Sequence, residues 1–300
     1  RDDGTIHLTQ PKLINRILET IGFKTTAGPN ATKSRSNPAL IGKTLLRSLD
    51  EPEHDKPWKY RSIIGMLNFL EKSTRPDLAF AHQAARFSAD PRLPHTNAVL
   101  HLCRYLCGTN EAGLILTPDV EKKFEVFADA SLGGDWHSPT ANDDPDTARS
   151  RMGYIVRYAG CPIIWTSRLI TEVCLSTTEA EYCALSEALR QVIPLMDLQR
   201  ECVARGILEG ASNPEVFCTA FEDNSGALEM ARTHKTRPRT KHVNLRYHFF
   251  RERVAVDGDE DDGEKIHVKP VDTSEQLADI FTKAVTQELF LKFRKLILGW

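Results

Sequence analysis

The 300 residues predict a two-part α/β protein in which a mainly helical module precedes a mixed five-stranded sheet flanked by helices. Two observations carry this expectation. Apolar residues recur with a helical period of about 3.6 as far as Pro118 and with the alternation of strands immediately after it. Beyond that point the elements follow in the order β-β-β-α-β-α-α-β-α. That order gives a three-stranded meander and then strands reached through helices, which run parallel to the first.

Thr9-Gln10-Pro11 supplies an N-cap and a first-turn proline, and Leu13, Ile14, Ile17, Leu18 and Ile21 then recur at helical spacing until Gly22. Residues 24–57, rich in Gly, Pro, Ser and Thr, read as a long loop. Helices are predicted over 58–72, over 76–88 after Thr74-Arg75-Pro76-Asp77, and over 95–107 before Gly108. The strand pattern begins at 123–129 and continues at 153–158 and 162–166, the last two joined by Ala159-Gly160 as a tight hairpin. A long helix is predicted from Thr177 to Ala204, capped by Thr177 or Thr178. A strand from Glu215 to Phe221, helices Asn224–Ala231 and Val243–Val254, a strand Ile266–Val271 and a helix from Ser274 to Lys283 complete the sheet region. The expected domains are 1–118, helical; 119–285, the sheet domain; and 286–300, a C-terminal tail helix.

Composition limits the function classes. An apolar fraction of 41% with 27% charged residues excludes a disordered tail, a fibrous repeat or a small disulfide scaffold. The net charge of −2 conceals segregation, because residues 1–118 carry 16 Lys+Arg against 11 Asp+Glu and residues 119–300 carry 23 against 30. Seven cysteines without a Cys-x-x-Cys pair fit reduced, buried thiols. No apolar run reaches the roughly 18 residues of a membrane span, and Arg1-Asp2-Asp3 does not open like a signal peptide, so an intracellular location is expected. A start at Arg rather than Met looks like a processed product, an internal fragment or a truncated gene model.

Four acids stand where an α/β sheet gathers a site. Asp129 ends the first predicted strand, Asp223 ends the fourth in Phe221-Glu222-Asp223-Asn224-Ser225, Glu181 lies in the first turns of the long helix, and Asp279 sits among Leu277, Ile280 and Phe281 on the last helix of the sheet region. Any one of them alone reads more simply as a turn, cap or helix-dipole residue. Together, on four elements and without an adjacent basic residue, they would repel one another, and divalent cations are the usual remedy. Oxygen-only ligands select Mg²⁺ or Mn²⁺ over Zn²⁺. Such a cage suits two-metal phosphoryl transfer.

The motifs around these acids resemble a known family. Phe127-Ala128-Asp129-Ala130-Ser131-Leu132-Gly133-Gly134 is similar to the first RNase H motif. Leu175-Ser176-Thr177-Thr178-Glu179-Ala180-Glu181-Tyr182-Cys183-Ala184-Leu185 resembles the second as it occurs in copia-type LTR retrotransposon Pol polyproteins, and Asp223-Asn224-Ser225-Gly226-Ala227 resembles the third. Arg239-Thr240-Lys241-His242-Val243 with Tyr247-His248-Phe249, and Gln276-Leu277-Ala278-Asp279-Ile280-Phe281-Thr282-Lys283, follow in family order. The resemblance implies an RNase H-like fold, Mg-dependent endonucleolytic cleavage of the RNA strand of RNA·DNA hybrids, and ligation of two Mg²⁺ ions, with Mn²⁺ as a substitute, by Asp129, Glu181, Asp223 and Asp279. Glu181 is preferred to Glu179 because it occupies the place of the family's helix carboxylate in Glu-Tyr-x-Ala.

The helical part resembles the thumb and connection at the C-terminal end of copia-type reverse transcriptase. The residues are Leu8-Thr9-Gln10-Pro11-Lys12-Leu13-Ile14, Ile63-Ile64-Gly65-Met66-Leu67-Asn68-Phe69-Leu70, Ser73-Thr74-Arg75-Pro76-Asp77-Leu78-Ala79-Phe80 and Arg104-Tyr105-Leu106-Cys107-Gly108-Thr109. No Tyr-x-Asp-Asp occurs, so the polymerase palm is missing and no polymerase activity is expected of this chain. Implied partners are an RNA·DNA hybrid and the upstream reverse transcriptase palm and fingers, with no membrane. The implied location is a cytoplasmic particle or the nucleus.

Candidate nucleic-acid contacts are Ser131, Asn224, Ser225, Arg239, Lys241, His242 and His248, although Asn224 and Ser225 serve equally as helix caps. Residues 232–253 hold eight Lys+Arg against one acid, either a solvated face or a hybrid-binding strip. His101, Cys103 and Cys107 share a helix but lack a fourth zinc ligand. Residues 135–149 form a polar insertion, and 257–264 pack six acids into eight residues, as at a hairpin tip. A competing reading is a catalytically inactive remnant of a decayed retroelement that only binds nucleic acid. A third keeps the fold and takes DNA as substrate.

Overall fold

The structure is a computed structural model that describes residues 4–24, 31–140, 144–207, 216–233, 245–255 and 265–300. The chain divides into two compact units, one of Arg1–Leu116, Gly134–Ala148 and Lys283–Trp300, the other of Thr117–Gly133 and Arg149–Thr282.

The first unit begins with a short strand, β1 (Ile6–Leu8), and helix α1 (Pro11–Ile21), whose Ile14, Ile17 and Leu18 are buried as their spacing requires. Helix α2 (Tyr60–Ser73) follows, then a 3₁₀ segment over Pro76–Phe87, helix α3 (Leu93–Cys107) and strand β2 (Leu114–Leu116), which pairs antiparallel with β1. The sequence predicts neither short strand, and it predicts an ordinary helix where the 3₁₀ segment lies. Arg75 accounts for the tight opening of that segment. Its carbonyl accepts from Leu78 N at 3.0 Å, and its wholly buried guanidinium pairs with Asp77 at 2.8 Å and donates to the Thr109 carbonyl. Tyr105 closes the network by donating its hydroxyl to Asp77 at 2.6 Å.

The polar insertion groups with this unit rather than with the sheet between whose strands it is inserted. Arg86 joins it to the 3₁₀ segment, reaching Asp135 at 3.2 Å and Asp144 at 3.1 Å.

The second unit holds the sheet. Strands β3 (Phe124–Ser131), β4 (Arg151–Tyr158) and β5 (Cys161–Leu169) form an antiparallel meander. Ala159 (φ 52°) and Gly160 (φ 74°) turn the hairpin with two positive φ angles, as its two-residue loop demands. Helix α4 (Thr177–Ala204) has the predicted bounds but a different cap. Ser176, with extended backbone, accepts from Glu179 N at 3.1 Å, while Thr177 and Thr178 already lie inside the helix. Strand β6 (Cys218–Glu222) and strand β7 (Ile266–Pro270) are parallel to β3, with helix α5 (Ser225–Arg232) between them. The order across the sheet is β5-β4-β3-β6-β7, a mixed five-stranded sheet in an α/β unit.

Alternation decides the two faces. Phe124, Val126, Ala128 and Ala130 of β3 join Cys218 and Ala220 of β6 in a core against Ala180, Ala184, Leu185, Ala188 and Leu189 of α4. On the other face Phe127 stacks on Phe221 at 4.6 Å, and a short helix, α6 (Asp279–Thr282), lies against β4. A Cβ at Gly153 would meet Phe281 Cβ at 2.5 Å, so only glycine lets α6 sit this close.

β3 continues two residues past Asp129, and β6 extends through Glu222. Residues 245–254 wind as two 3₁₀ turns, Leu245–His248 and Arg251–Arg253, rather than as one α-helix. The helix expected over 274–283 is interrupted: a 3₁₀ turn at Thr273–Glu275 is followed by Gln276 in extended conformation, whose side-chain amide donates to the Ala128 carbonyl at 2.9 Å. That bond to the sheet replaces the helical continuation. The expected tail helix, α7 (Gln287–Leu298), belongs to the first unit, where Phe290 meets Tyr105 edge-on at 5.7 Å.

All seven cysteines are free thiols, five of them buried. Among the described residues no helix is long and apolar enough to cross a membrane.

Candidate metal centre

The acids gather at the end of the sheet where β3 and β6 finish, and strand parity sorts them by face. Asp129, opposite Gly153 in the β3–β4 register, lies on the α6 face. Its carboxylate accepts from the Thr282 hydroxyl. Asp279, the first residue of α6, is buried on the same face. Glu181 approaches from the α4 face, and its Oε2 accepts from Ala130 N at 2.7 Å. Glu222 closes β6 in phase with Cys218 and Ala220, so it too belongs to the α4 face. Its Oε1 accepts from Asn224 N at 3.0 Å. Asp223, one residue past the strand, is half-buried and accepts from the Thr273 hydroxyl at 2.9 Å.

Two sets of ligand atoms result, Asp129, Asp223 and Asp279 in one and Glu181, Glu222 and Asp223 in the other. Within each set one oxygen per residue lies within 4.8 Å of the others. Asp223 is common to both because it stands beyond the end of β6, where neither face claims it.

The electrostatics follow from this crowding. Burial first, then the charges of Asp129, Glu222 and Asp223, push the Glu181 carboxyl up to about 11, against the lowering effect of the Ala130 N–H. Burial also raises Glu222, to about 8; the Asn224 N–H opposes the rise, and Asp223 and Asp129 add to it. Oxygen-only donors with mutually repelling charges are the donor set of a hard divalent cation, so these residues fit such an ion.

Glu179 stands apart from the acids and accepts from Leu175 N at 2.7 Å, at the start of α4. Asn224 caps α5, its Oδ1 accepting from Gly226 N and Ala227 N at 3.0 Å, and Ser225 is the first residue of that helix. Ser131 ends β3 opposite Arg151. His248 is drawn into a packing network: Arg251 Nε donates to the Tyr182 hydroxyl at 2.9 Å, and that hydroxyl lies 2.8 Å from His248 Nδ1. Burial, and then the charge of Arg251, lowers the His248 pKa below that of a free imidazole. Arg239, Lys241 and His242 lie outside the described residues, as do 257–264. Within the basic strip Arg232 donates to the Val268 carbonyl at 2.7 Å and Arg253 pairs with Asp197 at 3.1 Å. His101 bonds the Asn37 carbonyl at 2.9 Å, and the metal-competent groups among the described residues are the two acidic sets alone.

Glu222 is the residue that sequence reasoning missed. The signal was present in the alternation Cys218, Ala220, Glu222, which needs only a strand one residue longer than the apolar run.

Over 300 residues the chain is 31% identical to the Retrovirus-related Pol polyprotein from transposon TNT 1-94 of Nicotiana tabacum, a match covering 99% of this chain and 20% of that polyprotein. It is 31% identical over 293 residues to the Retrovirus-related Pol polyprotein from transposon RE2 of Arabidopsis thaliana, covering 97% of this chain and 18% of that polyprotein. The chain belongs to the copia-type Pol polyproteins. The corresponding polyprotein from transposon RE1 of Arabidopsis thaliana is 29% identical over 289 residues, which cover 96% of this Pol chain and 18% of the relative. This Pol chain thus spans about a fifth of the length of the curated relatives it matches. No family model matches it, and no solved structure does.

Proposed function

We propose that the sheet unit of this Pol chain is an RNase H-like hydrolase that cuts the RNA strand of RNA·DNA hybrids with two Mg²⁺ ions. The observation that carries the reading is the convergence of Asp129, Glu181, Asp223 and Asp279, from four different elements, on one end of a sheet ordered β5-β4-β3-β6-β7. The bound ions would supply an activated water and stabilise the departing 3′-oxygen of the cleaved phosphodiester. The protein's part is positional. Thr282 holds the Asp129 carboxylate on the α6 face, the Ala130 N–H holds Glu181 on the α4 face, and Thr273 holds Asp223 at the strand end. Gln276, bonded to the Ala128 carbonyl, seats the segment that carries Asp279. The upstream palm and fingers of an intact polyprotein would present the hybrid, and selection of RNA requires recognition of 2′-hydroxyl groups.

The test is incubation of the protein with a labelled RNA·DNA hybrid and Mg²⁺. Internal cuts in the RNA strand are expected, reduced about 100-fold or more by Asp129→Asn. No cleavage, or cleavage unaffected by that substitution, would leave the chain a nucleic-acid-binding remnant. Equal cutting of duplex DNA would reassign the substrate.

A further inference from the structure

Family resemblance assigns a single acid, Asp223, to the end of β6. The structure provides two. Glu222 is 1% exposed, and its Oε2 has no hydrogen-bond partner among the described residues. A carboxylate oxygen removed from water and left without a donor is costly to the fold unless a ligand completes it. The other oxygen is occupied by the Asn224 N–H, which fixes the carboxylate at the start of α5. One Glu222 oxygen lies within 4.8 Å of an oxygen of both Glu181 and Asp223, and among the described residues no Lys or Arg ion pair reaches any of the three.

We infer that Glu222 is a direct ligand of a divalent cation, held on the α4 face together with Glu181 and Asp223. The inference rests on the two-ion reading above only in placing a second ion on the α6 face with Asp129 and Asp279; the Glu222 site is argued from its own geometry. Oxygens opposed across an Mg²⁺ ion are about 4 Å apart, since each bond is about 2.1 Å. Small side-chain rotations therefore close the observed spacing around one ion. Parity explains why both acids can serve. Glu222 is the last residue of the strand and turns toward α4, whereas Asp223 lies beyond it and reaches both sets. A third carboxylate on this face raises the negative charge of the site, which favours a doubly charged ion over a monovalent one and leaves water to complete the coordination.

The experiment is titration of the full chain with Mn²⁺, followed by calorimetry and by electron paramagnetic resonance of free Mn²⁺, for wild type, Glu222→Gln and Asp279→Asn. Two ions are expected to bind the wild type. Glu222→Gln keeps the acceptor for Asn224 N–H and removes only the charge, so it should weaken one site about tenfold or more and leave the other. Asp279→Asn should spare the site that Glu222→Gln weakens. Equal Mn²⁺ stoichiometry and affinity in Glu222→Gln and wild type would overturn the inference, as would a wild type that binds no ion. A metal-free circular dichroism melt establishes that Glu222→Gln is folded, and Glu222→Ala, tested in the same way, should show the same loss. Because binding is read directly, an ion lost in Glu222→Gln with no hybrid cleavage by wild type would uphold this inference and sink the hydrolase reading. Cleavage by wild type with unchanged Mn²⁺ binding in the variant would do the reverse.

Discussion

Removing divalent ions with a chelator should make the sheet unit less stable as the pH rises, the opposite of ordinary acid denaturation. The cause is the pair of buried carboxyls that meet at the end of β6. In the unfolded chain both ionise near the ordinary value of 4.5, whereas in the metal-free fold burial and neighbouring carboxylates raise Glu222 to about 8 and Glu181 higher still. Below the unfolded value both states hold these protons and no penalty arises. Above it the unfolded chain releases them first, so stability falls with pH until the folded groups also ionise. Each pH unit is worth about 1.4 kcal/mol per carboxyl. For Glu222 alone the climb to pH 7 therefore costs about 3 kcal/mol, or about 6–12 °C in melting temperature for a unit of this size. Glu181 adds to the loss in the same direction, and the pair titrates jointly. The assay is calorimetric or circular dichroism melting of the chelated protein from pH 5 to 8, with and without Mg²⁺, for wild type and Glu222→Gln. Mg²⁺ should stabilise little at pH 5 and most at pH 8, and the variant should lose about half of the metal-free slope. Equal stabilisation by Mg²⁺ at both pH values, or a variant with the wild-type slope, would refute the reasoning.

Asp77→Ala strands the wholly buried Arg75 guanidinium and should cost about 3–5 kcal/mol in urea unfolding of the full chain. Gly153→Ala drives a methyl group into Phe281 and Thr282, and a loss of about 1–3 kcal/mol is expected. Weaker metal binding should accompany that loss, because α6 carries Asp279; a variant as stable as wild type would show that α6 can retreat freely. Ala159→Gly relieves a positive φ that alanine holds at a cost, so a gain of about 0.5–1 kcal/mol is expected in the same unfolding assay.

Much of the fold is legible in the sequence because it depends on near neighbours. The period of Leu13, Ile14, Ile17 and Leu18 encodes α1, the alternation from Phe124 to Ala130 encodes β3, and Ala159-Gly160 encodes a two-residue turn. The bounds of α4 follow from Ser176-Thr177-Thr178 and Gly206, although which hydroxyl caps the helix depends on where the backbone first turns helical. The acidic character of the site is legible for a similar reason: Asp129, Glu181, Asp223 and Asp279 stand at or near the ends of elements that the periodicity itself delimits.

What remained hidden depends on partners distant in sequence. The alternation Cys218, Ala220, Glu222 allows β6 to run on to Glu222, but it is the pairing with Pro270 of β7 that makes that residue part of the strand. The break at Gln276 comes from a bond to Ala128, and the insertion's membership of the helical unit from the bonds of Arg86 to Asp135 and Asp144. The sequence by itself determined the class of elements, the mixed sheet and the presence of a carboxylate cage. Only the tertiary structure decided where strands stop, hence which face each acid takes, and so made Asp223 common to two ligand sets and Glu222 a member of one. Periodicity reports the burial of side chains along one element, whereas the meeting of oxygens from five residues is set by hydrogen bonds between elements, which no local pattern records.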